Sequence, residues 1–241
     1  FAVYIDDVVT EINHANIGCG KGCIRIAVIL YADDILLLAP SVDALQNLLY
    51  IVENVLTRLD MALNAKKSVC LRFGPRFRNS CKNLKTLCGD DIMWATSCRY
   101  LGVYFISARY CKCEFGQAKK SFYRAVNAVF GKVLRLASEE TILHLIASKC
   151  MPVLLYGLDA CPISVSDIRS FDFVQTRLLM KIFNTGSITI VNKCHEMFGL
   201  KRISEMISDR KNRFLEKYQL SDNYVCRVFA GIAEKEQSKL K

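Results

Sequence analysis

Arg25-Ile26-Ala27-Val28-Ile29-Leu30-Tyr31-Ala32-Asp33-Asp34-Ile35-Leu36-Leu37-Leu38-Ala39-Pro40 sets two adjacent carboxylates between apolar runs of five residues. Each run has strand length, so the stretch predicts a β-hairpin whose tight turn carries Asp33 and Asp34. Burying such a charged pair is costly unless it binds a cation, and hard oxygen ligands on a tight turn suit Mg²⁺.

Upstream, Tyr4-Ile5-Asp6-Asp7 repeats the same four-residue pattern in another setting. There Phe1, Tyr4, Ile5, Val8, Val9 and Ile12 recur at spacings of three and four, which predicts a helix over 1–13 with Asp6 and Asp7 on its solvated face. Asn16 to Gly22, with three glycines, reads as the turn into the hairpin. It has neither the preceding strand nor the following Lys-Ser/Thr of a phosphate-binding loop.

Downstream, Ser41 is a good N-cap, and Leu45, Leu48, Leu49, Val52, Val55, Leu56, Leu59 and Leu63 form one helical stripe. Asn64 to Ser68 ends it; Val69, Leu71 and Phe73 then alternate with Cys70 and Arg72 as a half-buried strand. Gly74 to Asn83, with Arg76, Arg78 and Lys82, is a basic loop. Leu84–Cys88, a Gly89-Asp90-Asp91 turn, Ile92–Thr96 and Arg99–Phe105 read as successive strands. From Phe115 the pattern becomes helical, with Lys119, Lys120 and Arg124 on a basic face, a helical stretch Thr141–Tyr156 broken at Pro152, and another over Ser166–Phe183. Lys201, Arg202, Arg210, Lys211, Arg213 and Lys217 make a further basic helical stretch, and nothing beyond Ser221 forms a readable motif.

The chain has 241 residues, 52% of them apolar, which is ample for a core and argues against disorder. Its apolar runs are too short to span a bilayer and no signal peptide opens it, so an intracellular, soluble protein without a membrane partner is expected. Twelve cysteines without a Cys-x-x-Cys pair, and Cys194-His195 without a second pair, favour reduced thiols acting as small hydrophobes over zinc or disulfides. Residues 1–60 carry a net −5 and residues 61–241 a net +15, an acidic segment followed by a basic one. Solvated surface charge explains this as well as a metal-binding acidic site beside a polyanion-binding surface does.

Tyr31-Ala32-Asp33-Asp34 with apolar flanks resembles the YxDD palm motif of reverse transcriptases, in the YADD form of the non-LTR (LINE-type) retrotransposons. Three later elements resemble the same family in the same order: Asn64-x-x-Lys67 after the helix, Tyr100-Leu101-Gly102-Val103, and Pro152-x-x-x-Tyr156-Gly157. The resemblance implies an α+β fold: a partial polymerase palm, with an antiparallel sheet bearing the YADD hairpin and backed by helices, over 1–110, and an α-helical thumb over 111–220. The tail 221–241 stays unassigned. It implies an RNA-directed DNA polymerase working by two-metal nucleotidyl transfer on an RNA template and DNA primer with deoxynucleoside triphosphates. Asp33 and Asp34 would then be catalytic and hold Mg²⁺, with Mn²⁺ as a substitute, and Lys67 would protonate the leaving pyrophosphate.

By the same resemblance Tyr31 and Ala32 would line the primer terminus, and Tyr100, Leu101 and Gly102 would grip it, the glycine admitting a phosphate close to the backbone. Lys119, Lys120 and Arg124 would track the duplex. The family's further metal-binding Asp and its fingers residues would lie upstream of Phe1, and a chain opening without Met is expected to be a fragment, inactive alone. A nucleic-acid-binding remnant without catalysis is the second reading, and a helical interaction protein with an accidental YADD the third.

Overall fold

A computed structural model describes residues 2–21, 24–133 and 136–240. The chain divides into two compact units, Phe1–Cys98 with Ser107–Tyr110, and Arg99–Ile106 with Cys111–Lys241. Both mix or stack elements dictated by the apolar patterns above.

In the first unit α1 (Ala2–Ala15) packs on α2 (Val42–Arg58), with β1 (Cys19–Lys21), β2 (Ile24–Ile26), β3 (Val28–Tyr31) and β4 (Asp34–Leu37) between them in sequence. Ile5, Val8 and Ile12 are buried while Asp6 and Asp7 are exposed, as helical spacing requires. The glycine-rich segment expected as a turn contains β1, antiparallel to β2, and Gly20 permits that pairing because a Cβ there would lie 1.8 Å from the Ile24 carbonyl oxygen. Strand β3 pairs antiparallel with β4 in the register Val28↔Leu37, Ile29↔Leu36, Leu30↔Ile35, Tyr31↔Asp34. The period of two sends Val28, Leu30, Ile35 and Leu37 onto the core of α1 and α2. The other face carries Ile29 and Leu36, and Ile29 is 42% exposed.

Ser41 caps α2 through its Oγ, which accepts the Ala44 N–H at 3.2 Å. That helix stops at Arg58, short of the expected Leu63, because Asp60 takes a left-handed φ of 56°. Leu59 and Leu63 still pack on the core from outside the helix. Two polar side chains of α2 hold the next hairpin, β5 (Leu84–Lys85) with β6 (Asp91–Ile92). Gln46 accepts from the Lys85 N–H at 2.8 Å and donates to its carbonyl at 2.7 Å, in the manner of a neighbouring strand. Glu53, buried in the middle of the apolar stripe, accepts the Leu87 N–H at 3.0 Å, and desolvation raises its pKa.

Two further sequence expectations fail in this unit. The stretch 69–73 is not a regular strand: Cys70 is buried and makes one isolated parallel bridge to Trp94, while Val69 and Phe73 are exposed. Alternation put the larger side chains inside, but Cys70, with Leu49, Leu84 and Ile92, fills the small core. Asp91, expected in a turn, begins β6 and pairs with Lys85 at 3.0 Å.

In the second unit β8 (Val103–Ile106) pairs antiparallel with β9 (Lys112–Glu114) in a sheet ordered β7-β8-β9, where the chain enters the unit within β7 (Ser97–Tyr100). Arg99–Phe105 is therefore a hairpin instead of one strand, since Leu101 and Gly102 both have positive φ, 45° and 82°, the signature of a type I′ turn. Helices α3 (Gly116–Val133), α4 (Glu139–Leu145), α5 (Met151–Leu154) and α6 (Val165–Ile182) share a core that includes Phe122, Phe130, Leu154 and Phe171. Ser164 and Asp167 form a capping box at the start of α6. Pro152 does not break its helix: a π turn over Ile146–Cys150 immediately precedes it, so the bond that proline cannot donate is lost where the ladder has already shifted. Next come α7 (Ile188–Met197), α8 (Ile203–Gln219) and α9 (Tyr224–Gln237), the last in the tail where no motif was readable. Buried Gln175 of α6 joins these parts, donating to the Lys201 carbonyl at 2.8 Å and accepting the Ile203 N–H at 3.0 Å.

No helix among the described residues is long and apolar enough to cross a membrane. Among the described residues Cys70, Cys113, Cys150, Cys161 and Cys194 are buried, Cys81, Cys98 and Cys226 are half-buried, and Cys19, Cys88 and Cys111 are exposed, so the reading of thiols as core filler fits the buried set best and the exposed set not at all.

Candidate functional site

Strands β3 and β4 leave a two-residue loop, Ala32-Asp33, between the paired residues Tyr31 and Asp34. Asp34 is thus the first residue of β4 and shares a sheet face with Tyr31, while Asp33 stands at the turn itself. Ala32 takes a φ of 51°, a left-handed conformation that costs any residue with a Cβ relative to glycine. Both carboxylates are exposed, which corrects the expectation of a buried pair; Tyr31 beside them is 61% exposed. Their exposure leaves the carboxylate oxygens open to a divalent cation. The donor set suits a hard cation such as Mg²⁺ but is partial, because among the described residues no group of three or more His, Cys, Asp or Glu could hold a metal.

Lys67 is exposed and follows a turn built by Asn64, whose Oδ1 and carbonyl accept the Lys67 N–H at 3.2 and 3.1 Å. The Asn-x-x-Lys spacing is that of a side-chain-stabilised turn. Because α2 ends earlier, Lys67 does not sit at a helix C-terminus. No hydrogen bond or ion pair among the described residues joins it to Asp33 or Asp34.

In the second unit the Tyr100–Val103 turn and the Tyr156-Gly157 pair, far apart in sequence, meet. The Tyr156 hydroxyl donates to the Leu101 carbonyl at 3.0 Å. A Cβ on Gly102 would lie 2.9 Å from Tyr156 Cε1, and one on Gly157 would lie 3.0 Å from Val103 Cγ2. The side of Gly102 on which a Cβ would stand is thus taken by the Tyr156 ring, while the residue itself remains exposed. Sequence order gave no signal of this contact, though both halves of it were singled out. Gly102→Ala should cost about 1–2 kcal/mol of stability in this unit, from the left-handed φ together with the displaced ring. Urea melts of the two proteins check it, and an unchanged midpoint would show that the turn relaxes freely.

Of the three basic residues on α3, Lys120 and Arg124 are exposed. Lys119 is not available in the same way: its Nζ donates to Ser170 Oγ at 2.6 Å and sits 4.6 Å from the centre of the Phe171 ring, tying α3 to α6. On α8, Lys211 is likewise taken, by Glu236 of α9 at 2.5 Å, and Lys201 pairs with Asp209 at 2.6 Å, a contact that lowers the Asp209 pKa and raises that of Lys201.

No curated protein matches the chain. Residues 1–105 match the family model of the reverse transcriptase (RNA-dependent DNA polymerase). That span holds Tyr31 to Asp34, Lys67 and Tyr100 to Gly102, and over it the chain is similar to reverse transcriptases, which supports reading it as part of an RNA-directed DNA polymerase.

Proposed function

We propose that the chain is the later part of a reverse transcriptase of the non-LTR retrotransposon type, with the end of the palm over 1–110 and a helical thumb over 111–220. The observation that carries this is the Tyr31-Ala32-Asp33-Asp34 sequence on an exposed hairpin turn within the matched residues. Asp33 and Asp34 would hold Mg²⁺, which in this chemistry activates the primer 3′-hydroxyl and neutralises the leaving pyrophosphate. Tyr31 and Ala32 line the primer end, Lys67 supplies a proton to the pyrophosphate, and the Tyr100–Gly102 turn, braced by Tyr156, supports the primer strand. A third carboxylate comes from an upstream segment, and the 241 residues alone do not extend a primer. Among the described residues β3 and β4 pair only with each other, and Ile29 on their outer face is 42% exposed, which suits a sheet that continues in such a segment.

Template RNA and primer DNA are held largely through phosphates, with Lys120 and Arg124 among the contributing cations, so binding of an RNA–DNA hybrid should be indifferent to sequence and fall steeply with salt. Fluorescence anisotropy of a labelled hybrid over a salt series measures this. A flat response would remove the polyanion-binding reading.

A further inference from the structure

We propose that the first unit carries a surface for single-stranded nucleic acid where the loop 74–83 meets Ser107–Tyr110. Residues 61–89 contain seven Lys and Arg and no Asp or Glu, so positive charge accumulates there without a neighbouring carboxylate in sequence. The fold then concentrates it. Phe73 makes a parallel bridge with Ala108, the Gly74 N–H donates to the Ala108 carbonyl at 3.0 Å, and Ser107 Oγ donates to the Arg72 carbonyl at 2.8 Å. These bonds bring Arg109 and Tyr110 beside the basic loop.

The loop is held from within. The Arg72 guanidinium stacks 4.8 Å from the centre of the Trp94 ring and donates to the carbonyls of Arg76 at 3.1 Å and Asn79 at 2.8 Å. The Trp94 indole N–H donates to the Lys82 carbonyl at 3.0 Å. With its carbonyls used inwardly, the loop presents Arg76 and Arg78 outward, and no ion pair among the described residues involves them, Lys82 or Arg109. Interleaved with these cations are rings that a folded unit would ordinarily cover. Tyr110 is 74% exposed with the Arg109 guanidinium 5.6 Å from its centre, and Phe73 is 42% exposed.

Guanidinium groups recruit phosphates, and exposed rings flanked by them offer faces on which unpaired bases stack. A duplex keeps its base faces stacked inside and uses only the charge, so the rings select single strands. This surface rests on the first unit's charge and aromatics, not on the polymerase reading. The latter is tested by catalytic extension, and either can fail while the other stands.

The test uses the 241-residue chain with labelled oligouridine, oligothymidine and a blunt RNA–DNA hybrid, followed by anisotropy. Tyr110→Ala should weaken oligouridine binding about tenfold, within the range one stacked base contributes, and leave hybrid binding unchanged. Arg76→Ala with Arg78→Ala should make the salt slope for oligouridine shallower by about 1.4. Equal losses for oligothymidine mean that stacking and phosphate suffice, and smaller losses there mean that the ribose hydroxyl is read; both support the proposal. Emission from Trp94, the single tryptophan, reports that the loop is folded in each variant. Should Tyr110→Ala disturb it, the double arginine variant decides alone. Unchanged oligouridine affinity in both variants, or a loss on the hybrid equal to that on oligouridine in Tyr110→Ala, would overturn the proposal.

Discussion

Asp33→Asn, made in a polypeptide that also contains an upstream palm and fingers, should abolish primer extension on a primed RNA template, whereas Asp6→Asn should leave it intact. The amide keeps the size of the turn residue and removes the charge that would hold the proposed cation, at an expected cost of about 4 kcal/mol in the transition state, or roughly a thousandfold in rate. Asp6 offers the matched control because it sits in the same Tyr-x-Asp-Asp pattern, Tyr4-Ile5-Asp6-Asp7, but lies on the exposed face of a helix. The measurement is incorporation of labelled deoxynucleotide with Mg²⁺. Extension by the Asp33 variant, or its loss in the Asp6 variant, would mean that the other aspartate pair is the site. Extension by the 241 residues alone, dependent on Asp33, would show that no further carboxylate is required. Binding with no extension in the longer polypeptide leaves the remnant reading in possession.

Phe171→Ala should cost about 3–5 kcal/mol of stability, the range for removing a fully buried aromatic side chain. Phe171 has no exposed surface, packs against Phe115 with ring centres 5.6 Å apart, and carries the Lys119 ammonium over its face. Its loss opens a cavity and releases the tie between α3 and α6. Phe173, two residues on and 62% exposed, should change stability by less than about 0.5 kcal/mol when replaced by Ala. Chemical denaturation of both variants compares them directly. Similar midpoints would show that the core of the second unit does not centre on Phe171.

The sequence was most legible where one physical signal acted alone. Helical spacing located α1, α2 and α6 and put Asp6 and Asp7 outside, and the apolar runs around Asp33 located the hairpin. Where two signals competed it misled. Leu59 and Leu63 belong to the core but not to the helix, because a left-handed Asp60 ends the helix while the chain still returns to the same apolar face. Cys70 displaced its larger neighbours from the interior, since the small core accepts a thiol and little more. Tertiary pairings left no trace in local pattern: Glu53 on the Leu87 N–H, Gln175 between α6 and α8, and Tyr156 on Leu101 each join residues at least 26 positions apart. Counting cations likewise overstated the free positive charge, because Lys119 and Lys211 are spent inside the protein.

The π turn at Ile146–Cys150 has a bearing on how the α4–α5 segment stays in contact with its core. Ile142, Ile146, Cys150 and Leu154 are all buried, at steps of four. In an unbroken α-helix each such step advances about 40° beyond a full revolution, so three of them would carry the last side chain about 120° round the axis. A wider turn winds more slowly and gives back part of that advance. The segment thus behaves as a phase corrector: it keeps one azimuth facing inward across Pro152 and delivers Tyr156 and Gly157 to the Leu101–Val103 turn at the angle where ring, hydroxyl and missing Cβ all fit.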